Sequence, residues 1–260
     1  MLTRTPGRAL GLAVEVGTTA AVIGLIWLLT ANSHNPYIPS LPTILSEFQK
    51  VWLFARFTSD VLPSVERLVI GFLIGVVVGV PLGLMIGMSK WVRMLTRPVV
   101  TFMRSLPPPL IVPVAIALFQ IGLVMKVFSI AFVCIWPIAL NTEDGFVGLH
   151  PTVLETAKAY GVGFWKRMFR VVLPAVSPRV FTGLRISIAF AVLLLVLAEQ
   201  LGSSNGIGWF VLYSQEGYDV PGMWAGILML ALLGIAANAI ISLLERRVLR
   251  WHFNLRGIDV

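Results

Sequence analysis

Side chains able to do covalent or acid–base chemistry are scarce in this sequence. Its three histidines, His34, His150 and His252, fall in loops or in the tail, so no two of them share a depth at which to trade a proton. Cys134 is the only cysteine. Inside an apolar run it reads as a small packed hydrophobe rather than a thiolate, and an internal disulfide is impossible. A nucleotide-phosphate loop would read G-x-x-x-x-G-K-S/T, and "GVGFWK" from Gly161 lacks the final glycine and the hydroxyl. The chain is therefore not expected to hydrolyse ATP itself, and no metal or cofactor is expected.

The residues that stand out act on the backbone instead. In "RSLPPPLIVP", Pro107, Pro108, Pro109 and Pro113 each remove a backbone donor within an apolar stretch. Irregular backbone at membrane depth is tolerated only when it is buried in protein or faces a wet cavity. Arg104, Ser105, Pro107 and Leu110, with Asn141 of "NTEDG", are therefore candidate pathway residues; a proline-kinked helix packed away from any pathway is the alternative. Ionisable groups at depth are functional candidates by default. Glu15 lies a third of the way into the first apolar run, and Glu199 closes the fifth, where it is expected to reach the outer surface. Arg104 and Arg185 sit near run ends, from which long side chains snorkel to headgroups.

These residues are carried by apolar segments. Of the sequence, 57% is hydrophobic and only 12% charged, against about 25% charged in a soluble domain. A spanning helix needs about 20 apolar residues, and six stretches qualify, at 9–31, 68–88, 98–119, 123–140, 180–198 and 223–244. The expected fold is all-α, a polytopic membrane protein. The first stretch is too long for a secretory signal and lacks a small-residue cleavage site, so it reads as a retained helix. With both termini cytoplasmic, only Lys50, Arg56, Arg67 and Lys126 of the 20 Lys and Arg stay outside, a positive-inside bias. The net charge of +8 is then a topology and lipid-headgroup signal, and no nucleic-acid partner is expected.

Between the first two runs, Leu41, Ile44, Leu45 and Phe48 recur at helical spacing and predict an amphipathic segment in the outer interface. In the second run, Gly71, Gly75, Gly79, Gly83 and Gly87 lie on one face and admit close approach of another helix. The glycine row has no counterpart in the second half, which weakens an inverted-repeat carrier. The division expected is 1–60 for the first helix and outer segment, 61–248 for a five-helix core, and 249–260 for a cytoplasmic tail.

The long loop after the fourth run reads as helix, stop, helix. Pro151 suits a first turn, Thr152 to Tyr160 a short helix, and Gly161 a C-terminal stop; Phe164 to Val172 predict a second short helix ending before Pro174. A structured loop of this length implies a cytoplasmic partner.

Its sequence, "ETAKAYGVGFWKRMFRVVLP", resembles the EAA signature of binding-protein-dependent ABC importer permeases. Glu155, Ala157, Gly161, Val171, Leu173 and Pro174 fall in register, while Thr156 departs from the usual alanine. The strings "SVERLVIGFLIGVVVGVPLGLMIGMSKW", "RSLPPPLIVPVAIALFQIG", "NTEDG", "SNGIGWFV" and "LLERRVLRW" extend the likeness toward the nitrate, sulfonate and taurine type, from about Pro39 to Trp251. The resemblance implies a type I permease fold with six transmembrane helices and a cytoplasmic coupling helix at loop 150–175. Glu155, Thr156, Ala157, Tyr160, Gly161, Leu173 and Pro174 would meet the ATPase, with small Ala157 letting its backbone come close. It further implies two ATPase subunits, a second permease copy, an extracytoplasmic solute-binding protein and a place in the bacterial inner membrane. The solute would be small and anionic, such as nitrate, a sulfonate, taurine or an aromatic acid. An ion-coupled secondary carrier is the main alternative, though its midplane acidic residues are scarce here; a membrane-embedded enzyme is the second.

Overall fold

The computed structural model describes residues 37–251 and a scatter of helical positions between Val14 and Thr30. Glu15, most of the first expected span and the tail beyond Trp251 lie outside the described residues. The outer amphipathic segment forms α1 (Leu41–Phe48), and two π-helical stretches, Gln49–Ala55 and Phe57–Val61, lead into α2 (Leu62–Met88). There follow α3 (Lys90–Ser105), a 3-10 turn (Pro108–Leu110), α4 (Ile111–Phe119), α5 (Leu123–Val147) and α6 (Pro151–Ala159). A short α7 (Phe164–Arg167) and a π-helical turn (Met168–Val172) run into α8 (Leu173–Gly202), followed by α9 (Ile207–Glu216) and α10 (Val220–Val248). Among the described residues four helical stretches are long and apolar enough to cross a membrane, at Phe57–Met88, Leu123–Val147, Phe164–Gly202 and Val220–Val248. A bent pair, Lys90–Met103 with Pro108–Phe119, raises that to five.

The glycine row builds the centre. A Cβ on Gly71 would meet Ile130, one on Gly75 would meet Cys134, one on Gly79 Ile138, one on Gly83 Ala139 and Thr142, and one on Gly87 Phe146. The contacts advance together along both helices, so α2 and α5 run parallel, backbone against backbone. On the other face of α5, Gly183 lies against Pro137 and Asn141, and Gly202 against Met125, so α8 runs antiparallel. Cys134 is buried and donates to the Ser187 carbonyl at 3.4 Å, while the Ser187 hydroxyl donates to the Cys134 carbonyl at 3.0 Å. Both polar groups are thus satisfied where lipid and water are absent.

The row makes a graded stability test. At Gly71 the nearest obstacle is the Ile130 Cβ at 2.7 Å, whereas at Gly83 the Ala139 carbonyl oxygen of the α5 backbone stands closer still. Gly83→Ala is therefore expected to lower the thermal midpoint of the detergent-solubilised protein several degrees more than Gly71→Ala. Equal midpoints would mean that α5 slides freely past α2.

Three expectations need correction. The third span is not one helix: α3 and the Pro108–Phe119 segment meet at 88°, because a proline run without backbone donors cannot carry helical hydrogen bonds through 107–109. The fourth span does not stop at Leu140; α5 runs on to Val147 and carries Asn141 to Gly145 within it. The second loop helix does not end before Pro174, since the chain stays helical from Phe164 to Gly202. Pro174 follows closely on the π-helical turn Met168–Val172, so the irregular winding that a proline imposes within a helix falls there.

Candidate functional site

The loop helix α6 starts on His150, whose ring accepts from the Thr152 N–H, with Pro151 in the first turn. Its end is set by Gly161 at φ +66. The Gly161 N–H donates to the Lys158 carbonyl at 2.9 Å and the Val162 N–H to the Ala157 carbonyl at 3.0 Å. This paired closure satisfies two carbonyls that the helix end would leave open and requires a left-handed residue between them. Leu154 packs on the main core and Ala157 is buried. The small Ala157 side chain thus seats the helix on its own chain. The open face carries Glu155, Thr156 and Tyr160, the last 82% exposed. Beyond the turn, Phe164, Trp165 and Phe169 are exposed, with Trp165 and Phe169 stacked at 6.2 Å. Leu173 is half-buried and Pro174 exposed where α8 begins.

A second feature lies at the elbow between α3 and the 3-10 turn. A cavity of about 450 Å³ is bounded there by Leu106 and Pro108, by Phe132, Trp136 and Asn141 on α5, and by Phe190 on α8. Asn141 is the one expected pathway residue in its wall; its amide donates to the Pro137 carbonyl at 2.8 Å. Ser105, Pro107 and Leu110 flank the elbow and are exposed, and Arg104 lies in the last turn of α3. The walls are mainly apolar and aromatic, with Asp144 at one end. A neighbouring cavity of about 540 Å³ shares Leu140 and Asp144 with it. Among the described residues no group of three His, Cys, Asp or Glu could hold a metal ion.

The third feature was not assembled from sequence. Glu199 is fully buried rather than at the outer surface. It receives Arg67 Nη1 at 2.6 Å and the Ser64 hydroxyl at 2.7 Å on one oxygen, and the Gly208 N–H at 2.9 Å on the other. Asp60 accepts the Gly206 N–H at 2.8 Å and Ser64 accepts the Ile207 N–H at 2.9 Å. Three successive N–H groups opening α9, which a helix leaves unpaired, are thus capped by side chains, two from the distant start of α2 and its approach and one from the end of α8. Arg67 also binds Asn205, and Lys126 donates to Ser203 at 2.8 Å. The signal available was two opposite charges at matching ends of the second and fifth apolar runs, followed by the glycines of "SNGIGWFV". Arg185, expected to snorkel, pairs instead with Glu245 of α10.

Comparison with known proteins converges. Residues 79–250 match the family described as binding-protein-dependent transport system inner membrane component. The permease protein SsuC of Escherichia coli (strain K12), named for aliphatic sulfonates transport, is 31% identical over 92% of this chain and 88% of its own length. The SsuC of Bacillus subtilis (strain 168) is 29% identical over 91% and 84%. The nitrate import permease protein NrtB of Synechocystis sp. is 26% identical over 90% and 89%. In structure, a chain of the MetNI methionine ABC transporter, from inward-facing crystals, superposes with a TM-score of 0.65. It covers 73% of this chain and 94% of its own at 18% identity, a likeness of fold.

Proposed function

The chain belongs to the family of binding-protein-dependent transport system inner membrane components, and from that premise we propose that two copies of it enclose one solute pathway worked by two separate ATPase subunits. It is a transport component, not an ATPase. The observation that carries the coupling role is the loop: a short helix held on the core by Leu154 and Ala157, open on its Glu155, Thr156 and Tyr160 face, and stopped by Gly161. Closure of ATP-loaded ATPase subunits would push on this face and, through α5 and α8, tilt the elbow. An extracytoplasmic binding protein delivers the solute from the other side.

Six spans, both termini in the cytoplasm and a core of residues 61–248 between an N-terminal segment and a short tail complete the proposal. The parallel run of α2 and α5 supports it. Both helices end on one side, so the chain must return across the membrane somewhere within residues 89–122, and the coupling loop then lies on the side where the basic residues collect. The solute class is a small organic anion of the sulfonate or aromatic-acid kind. The likeness to the two SsuC permeases supports this class, and the elbow cavity offers apolar surface to an organic body, while Asp144 in its wall leaves the anionic head to groups outside this cavity.

The test places single cysteines at Ser105, Leu106 and Leu110 in a Cys134→Ala background. All three are expected to react with a water-soluble thiol reagent in the resting transporter, with reactivity at Leu106 changing several-fold once ATP is trapped. An unreactive Leu106 in both states, beside a reactive control at Tyr160, would make the elbow a packing element and move the pathway elsewhere.

A further inference from the structure

The element the transport reading leaves unused is α3. Its apolar residues Trp91, Leu95, Val99 and Phe102 recur along one stripe and are between 51% and 76% exposed. At 100° per residue, Lys90, Arg93 and Arg97 fall together on the opposite strip. A soluble helix would bury such a stripe, and a spanning helix would not carry three cations on one side. Basic residues on one face with Trp, Phe and Leu on the other mark a helix that lies in the plane of a membrane interface. The elbow provides that attitude, since α3 meets the Pro108–Phe119 segment at 88°.

The charges behind the stripe complete the case. Arg93 is neutralised by Glu143 at 3.0 Å, but among the described residues neither Lys90 nor Arg97 has a carboxylate partner. Both line the cavity of about 540 Å³ between α3 and α5, together with Thr101 and Asp144. Two free cations against one free carboxylate leave this pocket positive. The close contact of Gly87 with Phe146 puts the start of α3 on the same side as the coupling loop.

We propose that α3 is an interfacial helix that binds anionic phospholipid, its apolar stripe among the acyl chains and its Lys90 and Arg97 on the phosphate. Because α3 leads directly into the elbow, the bound lipid sets the angle at which the elbow rests. This inference needs a membrane but not the importer reading, and its test is separate from any transport assay.

The full-length protein, with Cys134→Ala and a fluorophore on Leu95→Cys, is placed in vesicles of phosphatidylcholine with or without phosphatidylglycerol. Nitroxide-labelled lipids carry the quencher near the headgroup or deep in the acyl chain. Strong shallow quenching and weak deep quenching are expected. Phosphatidylglycerol retained on the purified protein is expected to bind about twentyfold more weakly in Lys90→Gln/Arg97→Gln, at about fivefold per cation, and near normally in Lys90→Arg/Arg97→Lys. The proposal is overturned if Leu95 is quenched only from the water, if it cross-links to its counterpart in a second copy, if deep labels quench it best, or if the neutral variant retains phosphatidylglycerol as well as the native protein.

Discussion

Replacing Gly161 with valine is expected to leave membrane insertion intact and to reduce recovery of the ATPase subunits with the permease by tenfold or more, with solute uptake lost in parallel. The reason is conformational. No atom stands within 4 Å of the position a Cβ would take at Gly161, so space is free, but the backbone sits at φ +66. There an L side chain costs roughly 1–2 kcal/mol, and a β-branched one more. The cheaper course for the chain is to abandon the left-handed turn, which opens the Lys158 and Ala157 carbonyls and swings Glu155, Thr156 and Tyr160 off their common face. Three companions separate this from a general defect. Gly161→Asn, which tolerates the left-handed region, should retain most of the association. Gly161→Ala should fall between asparagine and valine. Gly163→Ala, at φ −56 and also in open space, should behave as the native protein. Equal ATPase recovery from the valine and asparagine variants would remove the coupling role from this turn.

The turn was legible in the sequence because everything that defines it is local: a proline in the first turn, a glycine at the stop and a helix-forming stretch between. The glycine row was legible for a similar reason, since a period of four residues on one helix needs no partner to be recognised. What failed was of another kind. The length of an apolar run says where lipid is affordable but not where a helix ends, so α5 outran its expected boundary by a turn and more of polar residues packed against α2 and α8. The prolines announced irregular backbone without giving its angle. That angle decides whether α3 crosses the membrane or lies along it. Glu199 was misplaced because its exposure depends on Ser64 and Arg67, more than a hundred positions away in sequence.

That misplaced residue gives the second large effect. Glu199→Ala leaves Arg67, which is 7% exposed, without its carboxylate, and strips the Gly208 N–H and the Ser64 hydroxyl of their acceptor. Breaking a buried pair from one side costs about 3–5 kcal/mol. At roughly 2–4 °C per kcal/mol for a chain of this size, the midpoint of thermal unfolding in detergent should fall by about 6–20 °C. Removing both charges is a different matter. Arg67→Met/Glu199→Met buries no unpaired ion, so it should recover the part of that loss due to the stranded charge, while the Gly208 N–H and the Ser64 hydroxyl stay without their acceptor. Gly206→Ala attacks the same cluster from the backbone, because at φ +117 its Cβ would run into the Glu199 carboxylate. Its cost and that of Glu199→Ala should therefore fall well short of additive when combined, as expected of neighbours in one network. Full additivity, or a Glu199→Ala midpoint within a degree or two of native, would mean that the ends of α2, α8 and α9 are held by apolar packing and that the charges are bystanders. A large, non-additive loss makes them the clasp that fixes the mouth of the bundle opposite the coupling loop. Motion imposed at the loop would then pivot α5 and α8 about a closed end.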